Sequence, residues 1–85
     1  MVTVRSAEVL ADYRLRLRFS DGTKGEVDLE PHLWGPVFEP LRDPAYFRRV
    51  SVSRAAGTIM WPNGADISPE TLRMWTDVRT EPVTR

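Results

Sequence analysis

The sequence predicts an α+β domain, a mainly antiparallel sheet with short helices packed on one face. Three observations predict it. Leu15, Leu17 and Phe19 alternate with Arg14, Arg16 and Arg18, the period of a half-buried strand. Two cap-then-proline pairs, Asp43-Pro44 and Ser68-Pro69, are helix starts. Turn residues, Ser20-Asp21-Gly22 and Pro62-Asn63-Gly64, separate the apolar runs. The expected order is β-β-β-α-β-β-α: a β-meander, a second hairpin and two short helices.

Val2, Val4 and Val9-Leu10 place an opening strand near residues 2–10. The alternating segment from Arg14 follows, and Gly22 suits the left-handed position of its three-residue loop. Val27 and Leu29 continue the apolar face beyond that loop, with Glu26, Asp28 and Glu30 opposite. If Phe19 faces Thr23, then Leu15 faces Val27, Arg16 faces Glu26 and Arg14 faces Asp28. A slip of two residues keeps the same sorting, with Arg18 facing Glu26. A slip of one would set charge against the apolar face.

Residues 31–40, with His32, Leu33, Trp34, Val37 and Phe38, read as a loop or short turn. The first helix runs from Asp43 to about Arg49, turning Tyr46 and Phe47 inward. Val50 and Val52 alternate with Ser51 and Ser53, and Arg54-Ala55-Ala56-Gly57 closes a second hairpin that sets Ile59 across from Val52. The last helix follows Ser68, with Glu70 favourable at its N-terminus and Leu72 with Trp75 or Met74 as its buried side. Residues 1–79 form the expected domain, and 80–85, poor in apolar side chains, the expected frayed tail.

Composition narrows the function classes. A chain of 85 residues holds one domain. It has no cysteine, so disulfides, thiolate ligands and thiol nucleophiles are excluded. Twelve basic residues balance twelve acidic ones, against a surface devoted to nucleic acid or anionic membrane. No apolar run resembles a signal peptide or a membrane span, so a cytoplasmic location is expected.

Little in the sequence resembles catalytic machinery. His32, the sole histidine, cannot build an ordinary zinc site alone and has no evident nucleophile to activate. Glu26 and Asp28 share a strand face opposite arginines, which accounts for them without acid–base chemistry; Asp66 and Glu70 have local capping roles available. Gly22, Gly25, Gly35, Gly57 and Gly64 form no phosphate-binding loop and read as turn or strand-end glycines. No enzyme activity and no cofactor are therefore expected. Trp34, Trp61 and Trp75 are a heavy aromatic load, mostly core, with a partner surface as the alternative; Asn63 and Asp66 join them as partner-binding candidates. Arg42, Arg48, Arg49 and Arg54, with few acids close in sequence, are the candidates for an anion or nucleic acid. The expected partner is another small protein or a second copy of the chain. Nucleic acid is the alternative, a small ligand the third reading, and no membrane is expected.

Three stretches carry a family resemblance. They are Tyr13-Arg14-Leu15-Arg16-Leu17 with Phe19-Ser20-Asp21-Gly22 and Val27-Asp28-Leu29; Val37-Phe38-Glu39-Pro40-Leu41-Arg42-Asp43-Pro44 with Phe47; and Gly57-Thr58-Ile59 followed by Trp61-Pro62-Asn63-Gly64-Ala65-Asp66-Ile67-Ser68-Pro69-Glu70-Thr71-Leu72. Together they resemble a bacterial family, domain of unknown function 2442, over nearly the whole chain. The resemblance implies a compact α+β fold, no known activity and no cofactor. It also implies a regulatory setting: some members carry an added helix-turn-helix domain, expected to be lacking here, and others are encoded beside a second small protein as in toxin–antitoxin pairs. An antitoxin-like or regulatory half of such a pair is the resulting expectation. No catalytic role passes to Trp61, Asn63 or Asp66, which on the alternative reading only fix a turn.

Overall fold

The computed structural model describes residues 1–80. Its strands are β1 (Val4–Val9), β2 (Arg14–Phe19), β3 (Thr23–Asp28), β4 (Ser51–Ser53), β5 (Thr58–Met60) and β6 (Asp77–Thr80). Its helices are α1 (Pro44–Phe47) and α2 (Pro69–Trp75), with 3-10 turns at Glu30–His32 and Glu39–Arg42. One antiparallel sheet has the order β1-β2-β3-β6, and β4-β5 forms a separate hairpin. The α+β class is as the sequence predicts.

The β2–β3 register is the first of the two expected: Leu15 opposite Val27, Arg16 opposite Glu26 and Arg14 opposite Asp28. Burial explains the choice of face. Leu15, Leu17, Phe19 and Val27 are all buried, and their arginine and acidic neighbours are exposed. On the solvent face Arg16 reaches Glu8 at 3.1 Å and Glu26 at 3.6 Å, while Arg14 turns to Glu26 at 3.8 Å rather than to Asp28. Such exposed pairs contribute a few tenths of a kcal/mol each. The second hairpin also keeps its expected register, Val52 opposite Ile59 and Ser53 opposite Thr58.

Three expected elements are corrected. The opening strand is Val4–Val9 rather than 2–10, and a bulge lies between Val4 and Ser6. The helix from Asp43 stops at Phe47 rather than Arg49. Asp43 caps it as expected, accepting from the Ala45 N–H at 3.0 Å. The 31–40 stretch is loop and short turn as expected, with a 3-10 turn at each end and proline at the start of each. The largest correction is β6, which the expected order lacks. Its residue Thr80 lies opposite Thr23, so the sheet extends one residue past the boundary expected at 79. The rest of the expected frayed tail, 81–85, lies outside the described residues.

Gly25 permits β6. It sits inside β3 rather than at a turn or strand end, and a Cβ there would lie 2.2 Å from the Asp77 carbonyl oxygen and 2.8 Å from Thr76 Cγ2. A strand glycine at such a close backbone approach is a packing requirement.

One core joins the meander, the middle segment, the second hairpin and α2. It combines Val4, Leu15, Leu17, Phe19, Val27 and Leu29 of the meander with Leu33, Leu41 and Phe47 of the middle and Ile59, Trp61, Ala65, Ile67 and Leu72 of the second half. Tyr13 meets Phe47 edge-on at 5.4 Å, and Phe47 meets Trp61 at 5.7 Å. This aromatic chain ties the sheet to α1 and the second hairpin.

The β2–β3 turn is stapled to α2. Asp21 accepts from the Thr23 hydroxyl at 2.6 Å and the Thr23 N–H at 3.0 Å, and meets Arg73 of α2 at 3.4 Å. The Thr23 hydroxyl above all, then the Thr23 N–H and the Arg73 charge, hold the Asp21 carboxyl below its ordinary value of 3.8. A lowered carboxylate stabilises the fold above its unfolded pKa, and that contribution is lost as pH falls through the folded pKa. The expected result is an advantage of the parent chain over Asp21→Asn, read as urea midpoint, that is constant near neutral pH and closes below 3.8. A gap that persists unchanged at pH 2, about two units below that range, would rule out the ionised staple.

Candidate functional site

The segment between the two 3-10 turns presents Trp34. Leu33 and Leu41 anchor its flanks, 1% and 0% exposed, while Trp34 between them is 73% exposed. Val37 stands out as well, at 56%. The backbone carrying them is fixed. The Arg42 guanidinium donates to the Leu33 carbonyl at 3.1 Å, the Asn63 side-chain amide donates to the Val37 carbonyl at 3.1 Å, and the N–H groups of Phe38 and Glu39 both donate to the Gly35 carbonyl. Gly35 takes a φ of +92°, a conformation that L side chains rarely adopt. Tyr13 donates its hydroxyl proton to the Arg42 carbonyl, joining the turn to the meander. Trp34, Gly35, Glu39 and Arg42 line a shallow cleft of about 280 Å³.

The other two tryptophans are placed differently. Trp61 is 2% exposed, and its indole N–H donates to the Phe47 carbonyl at 2.9 Å. Its surface is spent inside the core and offers nothing to a partner in this fold. Trp75 is half-buried and stacks on His32, with ring centroids 3.7 Å apart and planes 9° apart. The sole histidine thus docks α2 against the first 3-10 turn.

Turn geometry accounts for most of the Trp61–Asp66 segment. The Trp61 N–H donates to Ala65 and the Gly64 N–H to Trp61, both at 2.9 Å. Asn63 Oδ1 accepts from the Ala65 N–H at 3.0 Å, and Gly64 has φ +88°. Pro62, Asn63 and Gly64 are the residues such a turn selects. Asn63 has a second role, since its amide reaches across to the Trp34 segment. Asp66 bridges to Met60 through its backbone, and its exposed carboxylate makes no hydrogen bond or ion pair among the described residues.

The arginine candidates do not line one common cleft among those the described residues form. Arg42 lies beside Trp34, Arg49 places its guanidinium carbon 5.6 Å from the centre of the Tyr46 ring, and Arg48 is exposed at the end of α1. Arg54, in the second hairpin's loop, instead shares a cleft with Arg5. Of the acid pairs, Glu26 is engaged by Arg14 and Arg16, and Asp28 accepts from the Glu30 N–H at 3.1 Å. Among the described residues no three His, Asp or Glu side chains converge as metal ligands, and no helix is long and apolar enough to cross a membrane. The links that sequence reasoning misses, Asn63 to Val37 and His32 to Trp75, join segments distant along the chain, and no local pattern signals them.

Comparison with known proteins adds three findings. A crystal structure of a putative DNA binding protein from Nitrosomonas europaea superposes with a TM-score of 0.78 at 30% identity, covering 89% of this chain. The match takes in 49% of that protein, so this chain spans about half its length. No curated protein matches the sequence. A family model described as protein of unknown function matches residues 4–77, the span that holds the meander, the Trp34 segment, the second hairpin and α2, and the chain belongs to that family, DUF2442.

Proposed function

We propose that this chain is a non-catalytic protein-interaction module, the antitoxin-like or regulatory half of a two-protein pair, which holds a small protein partner through the surface around Trp34. One observation supports the reading. A 73% exposed indole is carried on a backbone segment pinned by Arg42 and Asn63. Fixing the backbone that carries a large aromatic before binding removes part of the ordering cost of association, and Trp is enriched among residues that dominate interface energy. Glu39 and Arg42, lining the same cleft, supply a rim of both signs.

The test is purification of the tagged chain from its host with and without nuclease, followed by Trp34→Ala. The expected result is a stoichiometric small protein that survives nuclease and whose affinity falls about thirtyfold in the variant, the size of an interface hot spot. Retention of that protein at full strength by Trp34→Ala would refute the surface.

The likeness to the Nitrosomonas europaea protein favours a second reading, a nucleic-acid-binding regulator that uses Arg42, Arg48, Arg49 and Arg54. It requires binding that weakens steeply with salt and with neutralisation of those arginines.

A further inference from the structure

We propose that the cleft between β1 and the second hairpin is a phosphate-binding site built by Arg5 and Arg54. The β1–β2 ladder pairs Val4 with Phe19 and then Ser6 with Arg18, so Arg5 is the extra residue of a bulge. Bulges commonly re-aim a side chain next to a site. Arg54 opens the loop of the second hairpin. That loop is fixed by the Gly57 N–H on the Ser53 carbonyl at 2.8 Å and the Ala56 N–H on Ser53 Oγ at 3.2 Å. It is also fastened to β1, because the Val4 N–H donates to the Gly57 carbonyl at 2.9 Å. Gly57, at φ +71°, admits this approach; a Cβ there would meet Thr3 Cγ2 at 2.9 Å. Two arginines far apart in sequence are thus held on one joint of the backbone.

The cleft has a volume of about 590 Å³ and is lined, among the described residues, by Thr3, Val4, Arg5, Val52, Arg54 and Gly57, none of them acidic. Several other arginines of this charge-balanced chain are engaged: Arg14 and Arg16 by Glu26, Arg73 by Asp21, Arg42 by a carbonyl. Arg5 and Arg54 make no hydrogen bond or ion pair among the described residues. Two arginine side chains line one cleft to which no described acid contributes, and an anion in that cleft is attracted by both. A tetrahedral phosphate suits two forks, since its oxygens can accept from both, whereas one fork already saturates a carboxylate. The volume lies within the range of small-molecule sites and leaves room for the group that carries the phosphate. The source is either a small phosphorylated molecule or a nucleic-acid backbone. The site is independent of Trp34.

The experiment titrates the isotopically labelled chain with a nucleoside monophosphate (AMP) and, separately, with a short DNA duplex at low salt, following backbone amide resonances. The expected result is movement of the Thr3, Val52 and Gly57 amides with at least one probe. Response to AMP assigns a small ligand, and response to the duplex alone assigns the nucleic-acid backbone. The double variant Arg5→Gln/Arg54→Gln, its fold checked by circular dichroism, is expected to bind about tenfold or more weakly. Arg18→Gln, an exposed arginine of β2 away from the cleft lining, is expected to bind as the parent does, which separates this cleft from a general loss of positive charge. Silence of those amides with both probes, or undiminished binding by the Arg5/Arg54 variant, would overturn the proposal.

Discussion

Trp61→Ala is expected to lower stability by about 3–5 kcal/mol, the range for truncating a large buried aromatic. Trp61 is 2% exposed and packs against Phe47, which is itself fully buried and packed edge-on against Tyr13. Removing the indole opens a cavity where the sheet, α1 and the second hairpin meet, and no single element can move to fill it. A domain of this size has on the order of 4–13 kcal/mol in total. The variant therefore sits near the edge of folding at ambient temperature. Trp61→Phe separates packing from hydrogen bonding. It keeps most of the volume but leaves the Phe47 carbonyl with one donor, the Val50 N–H at 3.2 Å. A loss of about 0.5–1.5 kcal/mol is expected for the missing bond. Urea unfolding followed by far-ultraviolet circular dichroism measures both without relying on the altered fluorophore. A loss below about 1 kcal/mol for the alanine variant would mean that Trp61 is not a core keystone, because cavity formation of that size exceeds it.

Gly25→Ala is expected to destabilise the chain and to act on β6 first. At a glycine whose backbone tolerates alanine, the substitution typically stabilises by about 0.4–1 kcal/mol, by restricting the unfolded chain. Here φ is ordinary and the obstacle is space. The added methyl would fall 2.2 Å from the Asp77 carbonyl oxygen, a backbone atom that moves only if the strand moves. Overpacking of this kind costs about 1–3 kcal/mol. Gly25→Val, which adds two more methyl groups, is expected to release β6 from β3. Hydrogen exchange at the β6 amides reads this directly: protection there should collapse while the β2–β3 amides keep theirs. Parent-like protection in the valine variant would show that Gly25 is not what admits the strand.

Legibility tracked the range of the interactions concerned. The β2–β3 hairpin was readable to the residue, because alternation of arginine with leucine allows only registers that keep charge on one face, and the loop length chooses between them. The caps at Asp43 and Ser68 were readable for the same reason, being bonds between residues two or three apart. Strand β6 was not. Its sequence Asp77–Thr80 alternates too briefly to be distinguished from a tail, and what makes it a strand is the vacancy beside Gly25, fifty-three positions before Val78. Gly25 itself was misread as punctuation, since a glycine that admits a neighbouring backbone carries the same letter as one that turns.

The candidate sites divide in the same way. That the chain lacks cysteine, balances its charge and carries three tryptophans is fixed by composition. Which tryptophan faces water is not, because Trp34, Trp61 and Trp75 all stand beside apolar neighbours. The buried Leu33 and Leu41 hold Trp34 outward, Phe47 draws Trp61 inward, and His32 covers Trp75. Four arginines close in sequence likewise read as one group, and the fold sets Arg54 in a cleft with Arg5 while Arg42 lines another. The sequence by itself determined the faces, caps and turns, where period and stereochemistry act over a few residues. Only the tertiary structure decided the sixth strand, the exposed indole and the paired arginines, because each depends on which distant backbone arrives beside it.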